Sequence, residues 1–428
     1  MRVFVNPDKA TWPDLLKRPT MDLEEIEQRV RPVIEKVKLE GDAALKQFTQ
    51  EFDGVAIDEF QVSEAEFTEA ETLVEADLKT AILTAKSNIE AFHKAQKQEE
   101  LVVETMPGVK CYRRSVGIEK VGLYIPGGTA PLFSTVLMLA VPAKLAGCQE
   151  VVLCSPPNKE GKIHPAILYT AKAVGVTKVF KVGGAQAVAA FTFGTESIPQ
   201  VNKIFGPGNQ YVTAAKQLAT RFGLAIDMPA GPSEVAVYAN ASANPSFVAA
   251  DLLSQAEHGV DSQVVLVASS EEVVKNVQAE IESQLKALPR AEFAAKALAN
   301  SVAVVLGEIE AIALLNEYGA EHLILSVDEP WNIANQIINA GSVFLGHLTP
   351  ESAGDYASGT NHTLPTNGYA KMYSGVSLDS FVKKITYQEI TPEGLKVLGP
   401  VVEKMAAAEQ LEAHKNAVTL RLKSLNNV

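Results

Sequence analysis

Apolar residues in this chain recur with two spacings, and the switching between them organises the whole. The stretch Asn244 to Gly259, NPSFVAADLLSQAEHG, has a helical spacing in which Phe247, Ala250, Leu253 and Ala256 or Glu257 share a face. Asn244 suits the N-cap, Pro245 the first helical position and Gly259 the stop. Gln255 and His258 fall on one face of the last turn, at the helix end that carries partial negative charge and favours a cation. Read alone, His258 caps the last carbonyls.

From residue 21 to about 98 the pattern is helical, with Ile, Val, Leu and Phe every three or four positions among charged residues. Glu99 to Ile118 is strand-like, with a turn at Pro107 and Gly108. Short apolar runs then alternate with helical segments. EKVGLYIPGG (ending in the pair Gly127 and Gly128), EVVLCSPP, KVFKVGG and KIFGPGN predict strands, separated by helices such as STVLMLAVPAKLAG and HPAILYTAKAVG. After MPAGPSE a second series follows: EVAVYA, SQVVLVAS, SVAVVLG, HLILSV and SVFLG. Repeated strand–helix units with wholly apolar strands predict parallel, doubly wound sheets that bind ligands at Gly turns beyond strand carboxyl ends. The expected fold class is α/β, with two Rossmann-like domains. Residues 1–20 form an N-terminal arm, and residues 21–122 with 236–370 form a discontinuous first domain. Residues 123–235 form an inserted domain, and 371–428 a helical tail too small for a core of its own.

Composition narrows the function classes. The chain has 428 residues, 47% of them hydrophobic and 21% charged, as expected of a globular protein of about three domains. A net charge of −13 argues against nucleic acid or an anionic membrane as a partner. No signal peptide is evident in MRVFVNPDKATW, and no apolar run reaches the length of a membrane span. Cys111, Cys148 and Cys154 lack metal-type spacing and read as reduced core residues, which places the protein in the cytoplasm.

Five of the seven histidines lie after residue 250. His322 follows Glu321 at the start of HLILSV, and a Glu–His pair is equipped for proton transfer at neutral pH. Neighbours in a strand point to opposite faces, so both serve one site only where the strand begins. The long polar stretch Gly346 to Gly368 carries Asp355, a hard metal ligand or a turn-former, and His362. Glu409 and His414 share a site only if their helix breaks near Gln410; otherwise they are exposed helix residues. Gly206, Pro207, Gly208 and Asn209 begin like a dinucleotide fingerprint, but Tyr211 stands at its third glycine.

Several long stretches resemble the histidinol dehydrogenase family: YIPGGTAPLFSTVLMLAVPAKLAG, FGPGN, DMPAGPSE, DLLSQAEHG, GAEHL, and GD with ASGTNHTLPT. The likeness runs from about residue 20 to the C-terminus. It implies oxidation of L-histidinol through L-histidinaldehyde to L-histidine, the last steps of histidine biosynthesis, with two NAD+ reduced. It also implies one zinc ion per subunit, held by Gln255, His258, Asp355 and His414. Ser233, Gln255, His258, His322, Asp355, Glu409 and His414 would surround the substrate, with Glu321 and His322 as the acid–base pair. His362 would support the ligands or touch the substrate, and Tyr124, Gln186 and Asn209 would contact NAD in the inserted domain. The resemblance further implies a homodimer whose tails complete each other's sites. A zinc hydrolase with the same ligands and a two-lobed small-molecule binding protein are the competing readings.

Overall fold

The apolar runs bounded by Gly and Pro become strands, and the periodic segments between them become helices. The computed structural model describes residues 1–19, 23–127 and 130–426. Gly128 of the expected Gly pair and the boundary expected between residues 20 and 21 lie outside them. The chain forms two units: Met1–Gln96 with Ile118–Phe381, and Lys97–Gly117 with Val382–Val428.

The larger unit contains two parallel sheets. In the six-stranded sheet, β1 (Arg2–Val5), β9 (Glu234–Ala239), β10 (Gln263–Ala268), β11 (Val302–Val305), β12 (His322–Ser326) and β13 (Ser342–Leu345) are ordered β1-β11-β10-β9-β12-β13. Every neighbouring pair is parallel. Alternate residues of β9 serve opposite faces, Val235, Val237 and Ala239 on one and Ala236 and Tyr238 on the other. The helix Pro245–Ala256 packs on the first of these faces, capped at its start by the Asn244 side chain. Its buried row is Val248, Leu252 and Ala256 with Ala249 and Leu253, whereas Phe247 and Ala250 face outward. The helix has two overlapping apolar rows, and contact with the sheet selects the one that spacing did not favour.

The five-stranded sheet is built from β4 (Lys120–Tyr124), β5 (Glu150–Ser155), β6 (Lys178–Lys181), β7 (Lys203–Phe205) and β8 (Ala225–Ile226), ordered β6-β5-β4-β7-β8 and parallel throughout. The helices over residues 23–94, expected beside the other sheet, pack here instead. Leu23–Glu40 lies on Gly184–Phe193 and Gln210–Ala219, Glu64–Leu73 on Pro165–Ala173, and Ala76–Lys94 on Phe133–Leu145. Amphipathic spacing says that a helix needs an apolar surface, not which one. The expected N-terminal arm likewise differs: Arg2 to Val5 pair with Val302 to Val305 and extend the six-stranded sheet. Cys148 and Cys154 are buried and all three cysteines are free, while Cys111 is only half-buried.

In the smaller unit β2 (Leu101–Met106) and β3 (Val109–Gly117) form the expected hairpin, and β14 (Val382–Ile390) joins them in the antiparallel order β14-β3-β2. The tail is therefore not helical throughout. β14 is exposed along most of its length, so it shows no apolar alternation from which to read a strand. The helices Pro392–Ala408 and Glu412–Asn426 pack on each other across a break at Gln410, whose φ is +60°.

Candidate active site

The amino end of the six-stranded sheet collects most of the singled-out residues. β9 and β12 are parallel neighbours, and His322 stands beside Val235 in the register. The residues just before and at the strand starts (Ser233, Glu234, Glu321, His322) therefore converge on one edge. Here the chain has not yet adopted the alternation that would separate Glu321 from His322. Glu321 Oε2 accepts the backbone N–H of Glu234 at 3.0 Å and lies 3.8 Å from His322 Nδ1. Arg18 forms an ion pair with the buried Glu234 and donates to the Tyr318 carbonyl, fastening the start of β9.

The helix Pro245–Ala256 returns antiparallel to β9, so its last turn reaches the same edge. Gln255 is 1% exposed, and neither atom of its amide has a hydrogen-bond partner. His258 follows just beyond the helix at an exposed position, yet its surroundings desolvate the imidazole enough to lower its pKa. Asp355 does not lie on an irregular loop: Glu351–Tyr356 is a short helix, and positions 351 and 355 share its face. Asp355 Oδ1 is 3.2 Å from His322 Nε2, and Glu351 Oε1 is 3.9 Å from His322 Nδ1. The ligand atoms of His258, Glu351 and Asp355 all lie within 4.8 Å of one another.

Glu351 is the residue that sequence reasoning missed. It is 1% exposed, and its Oε2 has no hydrogen-bond partner. Its signal was the spacing of four to Asp355, hidden in a segment too polar to read as a helix. Both ring nitrogens of His362 are engaged outside this cluster of ligand atoms. Its Nδ1 meets the Asp355 carbonyl at 2.7 Å and its Nε2 the Thr135 hydroxyl at 3.1 Å, so it fastens the backbone that carries Asp355.

The electrostatics are those of crowded, buried acids around one imidazole. Burial pushes Glu321 up to about 7 and Glu351 up to about 8. Burial alone would lower His322, but Glu321, Glu351 and Asp355 outweigh it and raise it to about 10. Burial would likewise raise Asp355, but contact with His322 holds it below the usual carboxylate range. A cluster of carboxylates, an imidazole and an unpaired amide oxygen is suited to a divalent cation of hard or borderline character.

Sheets of this kind bind ligands in a crevice outside the strand carboxyl ends where the strand order reverses, which in the five-stranded sheet is between β4 and β7. Tyr124 ends β4, and its hydroxyl accepts the Gly184 N–H at 3.2 Å. Gln186, in the first turn of the helix Gly184–Phe193, is 1% exposed and its Oε1 has no partner. The Asn209 side chain caps the helix Gln210–Ala219, accepting from Tyr211 and Val212 at 3.1 Å each. Gly206, at φ +132°, leaves no room for a side chain, because a Cβ there would lie 2.1 Å from the Tyr124 carbonyl oxygen. Asp227 accepts the Gly206 N–H and Lys216 donates to its carbonyl, both at 2.8 Å, so this turn is rigidly held.

Glu409 and His414 belong to the smaller unit and are exposed there. Their helix breaks at Gln410, so the condition for the two to share a site is met.

Comparison with known proteins places this geometry. The sequence profile of the histidinol dehydrogenase family matches residues 16–422. The chain is 61% identical over 426 residues to a histidinol dehydrogenase of Bacteroides thetaiotaomicron, covering 99% of this chain and all (100%) of that one. A Bacteroides fragilis histidinol dehydrogenase is 59% identical over 426 residues, with 99% and 100% covered. The crystal structure of histidinol dehydrogenase from Elizabethkingia anophelis superposes with a TM-score of 0.98 at 55% identity, covering 100% of this chain and 99% of that one. Among the described residues no helix is long and apolar enough to cross a membrane.

Proposed function

The chain belongs to the histidinol dehydrogenase family, and from that premise we propose how its two crevices divide the oxidation of L-histidinol to L-histidine. The amino-end crevice of the six-stranded sheet holds the substrate and moves its protons. The carboxyl-end crevice of the five-stranded sheet holds NAD+ through Tyr124, Gln186 and Asn209.

The observation that carries the metal assignment is Gln255. A buried amide with neither atom partnered costs about 1–3 kcal/mol per unsatisfied group, so a partner is expected. Gln255, His258 and Asp355 would hold one zinc ion, with His414 from a second copy. Such an ion supplies positive charge that offsets the neighbouring carboxylates and orients the amino and imidazole groups of histidinol. Ser233, with Glu409 from the second copy, would border the same substrate.

The charge of a bound cation would offset the carboxylates that raise His322 and leave its imidazole neutral, free to take the alcohol proton as the carbinol C–H hydride passes to the first NAD+, leaving the aldehyde. Glu321 takes a proton from water as the oxygen adds to that aldehyde, and His322 returns the alcohol proton to the former carbonyl oxygen, giving the hydrate and a neutral imidazole. His322 then takes a hydrate O–H proton as the second hydride leaves for a second NAD+, and the acid forms. Glu321 suits this role because burial already raises its carboxyl to about 7. Retaining the aldehyde between the steps avoids loss of a reactive intermediate. The test is turnover with L-histidinol and NAD+ on metal-analysed protein. Two NADH per histidinol, loss on chelation and recovery with zinc are expected; full activity in metal-free protein would contradict the zinc assignment.

We further propose a homodimer with shared sites. In the smaller unit Val102, Val103, Tyr387, Val401 and Met405 are large, apolar and exposed, as a surface covered by a second copy would be. The free, buried thiols suit the cytoplasm. Mixing His322→Ala with His414→Ala subunits distinguishes the arrangements. Shared sites leave each heterodimer with one intact site, about half the wild-type number, following from two-fold closure. Unshared sites leave none, and no recovery in proven heterodimers would exclude sharing.

A further inference from the structure

Dinucleotide-binding units ordinarily carry an acidic residue about twenty positions beyond the first turn, where it accepts from a ribose hydroxyl and disfavours a 2′-phosphate. That residue is missing here. β5, the second strand of the unit, carries its only acid, Glu150, at its amino end and runs out into Ser155, Pro156 and Pro157 at the crevice.

A carboxylate arrives at the crevice from outside the sheet. Thr49–Asp53 is a π-helical turn following the helix Asp42–Phe48, and it ends at Gly54 with φ +71°. The Asp53 carbonyl accepts from Lys159 Nζ at 2.8 Å, in the loop after β5. Pro156, in the same loop, packs against Gly127 after β4 and Gly183 after β6; a Cβ at either would approach it to 2.2 or 2.4 Å. The loops after β4, β5 and β6 therefore meet, with the Asp53 turn anchored to them. The Asp53 charge acts on the Tyr124 hydroxyl. Asp53 Oδ2 is buried with no hydrogen-bond partner, as are Gln186 Oε1 and Thr49 Oγ1. Burial raises the Asp53 carboxyl to about 6, which leaves it largely ionised at neutral pH.

Buried acceptors without donors call for a ligand that brings O–H or N–H groups. A ribose diol does so, and a phosphorylated ribose would instead set its negative charge against the carboxylate. We propose that Asp53 binds the adenosine ribose of NAD+ and sets the preference for NAD+ over NADP+. This deepens the reading of the five-stranded crevice as the cofactor site and rests on it.

The test measures NADH binding to the full-length protein by fluorescence titration, and kcat/KM for NAD+ and NADP+ at saturating histidinol. Asp53→Asn and Asp53→Ser should weaken NADH binding by about tenfold to a hundredfold, the range for losing a hydrogen bond to a charged group. They should also raise the NADP+/NAD+ ratio of kcat/KM by about tenfold or more. Asp53→Glu, which keeps the charge, should still discriminate against NADP+. Gln186→Ala is the control for the underlying reading. If it weakens NADH binding while folded Asp53→Asn and Asp53→Ser do not, the Asp53 assignment is overturned alone. If neither residue matters, the crevice is not the cofactor site and both readings fall.

Discussion

The two parallel sheets have the same strand order, yet their candidate sites lie at opposite ends. Numbered along the chain from β4 or from β9, each runs third, second, first, fourth, fifth, and β1 merely extends one edge. In the five-stranded sheet the crevice is at the carboxyl end; in the six-stranded sheet the cluster is at the amino end. Helix polarity gives the difference meaning. Carboxyl edges of strands face helix N-termini, which favour anionic groups such as a pyrophosphate. Amino edges face helix C-termini, such as the last turn holding Gln255, which favour a cation. At the carboxyl end of the six-stranded sheet the side chains bond to one another around His347. His347 meets Ser326 at 3.0 Å, Asp328 at 3.2 Å and Ser242 at 3.4 Å. One topology thus offers two electrostatically opposite places.

The largest expected effect separates the two ends outright. His322→Ala should reduce both half-reactions by about a thousandfold, within the range for losing a general base, and leave NADH affinity unchanged. Single-turnover assays from alcohol and from aldehyde, beside NADH titration, measure this; a comparable loss of NADH binding would break the division of labour. Glu321→Gln should divide the amino end itself. Oxidation of the aldehyde should fall about a hundredfold, and oxidation of the alcohol by less than about tenfold. Equal losses in both assays would remove the hydration role. The smallest effect belongs to the carboxyl end. Tyr124→Phe leaves the Gly184 N–H without its acceptor, which costs about 1–3 kcal/mol of stability. It should raise the KM for NAD+ severalfold, by about 1 kcal/mol in binding, and leave single turnovers at saturating cofactor unaltered. A fall in the saturated rate would place Tyr124 in the chemistry.

Much of the candidate site was legible because its residues sit at punctuation points. Asn244, Pro245 and Gly259 delimit the Gln255 helix, and Glu321 with His322 stands where a polar segment meets an apolar strand. The break at Gln410 was legible only as a condition: residues five apart on an unbroken helix cannot face one ligand. Glu351 was not legible, because a six-residue helix in a Gly- and Ser-rich segment leaves almost no periodic signal. Gln255 as a ligand came from resemblance, since an amide is an uncommon choice for zinc. Its burial without a hydrogen-bond partner is what the proposed role would explain, and burial is not written in spacing.

By itself the sequence determined the class of fold, the two strand–helix series and their parallel strands, and most element ends. These follow from local rules: apolar period, Gly and Pro geometry, and helix capping. Tertiary structure alone decided which sheet the helices of residues 23–94 cover, which face of the Gln255 helix is buried, and that residues 2–5 and 382–390 become edge strands. It also brought Glu351 beside His322 and the Asp53 turn to the loop after β5. The reason is common to all of these. A local pattern states that a segment has an apolar or polar face, but the identity of the surface that meets it depends on residues hundreds of positions away.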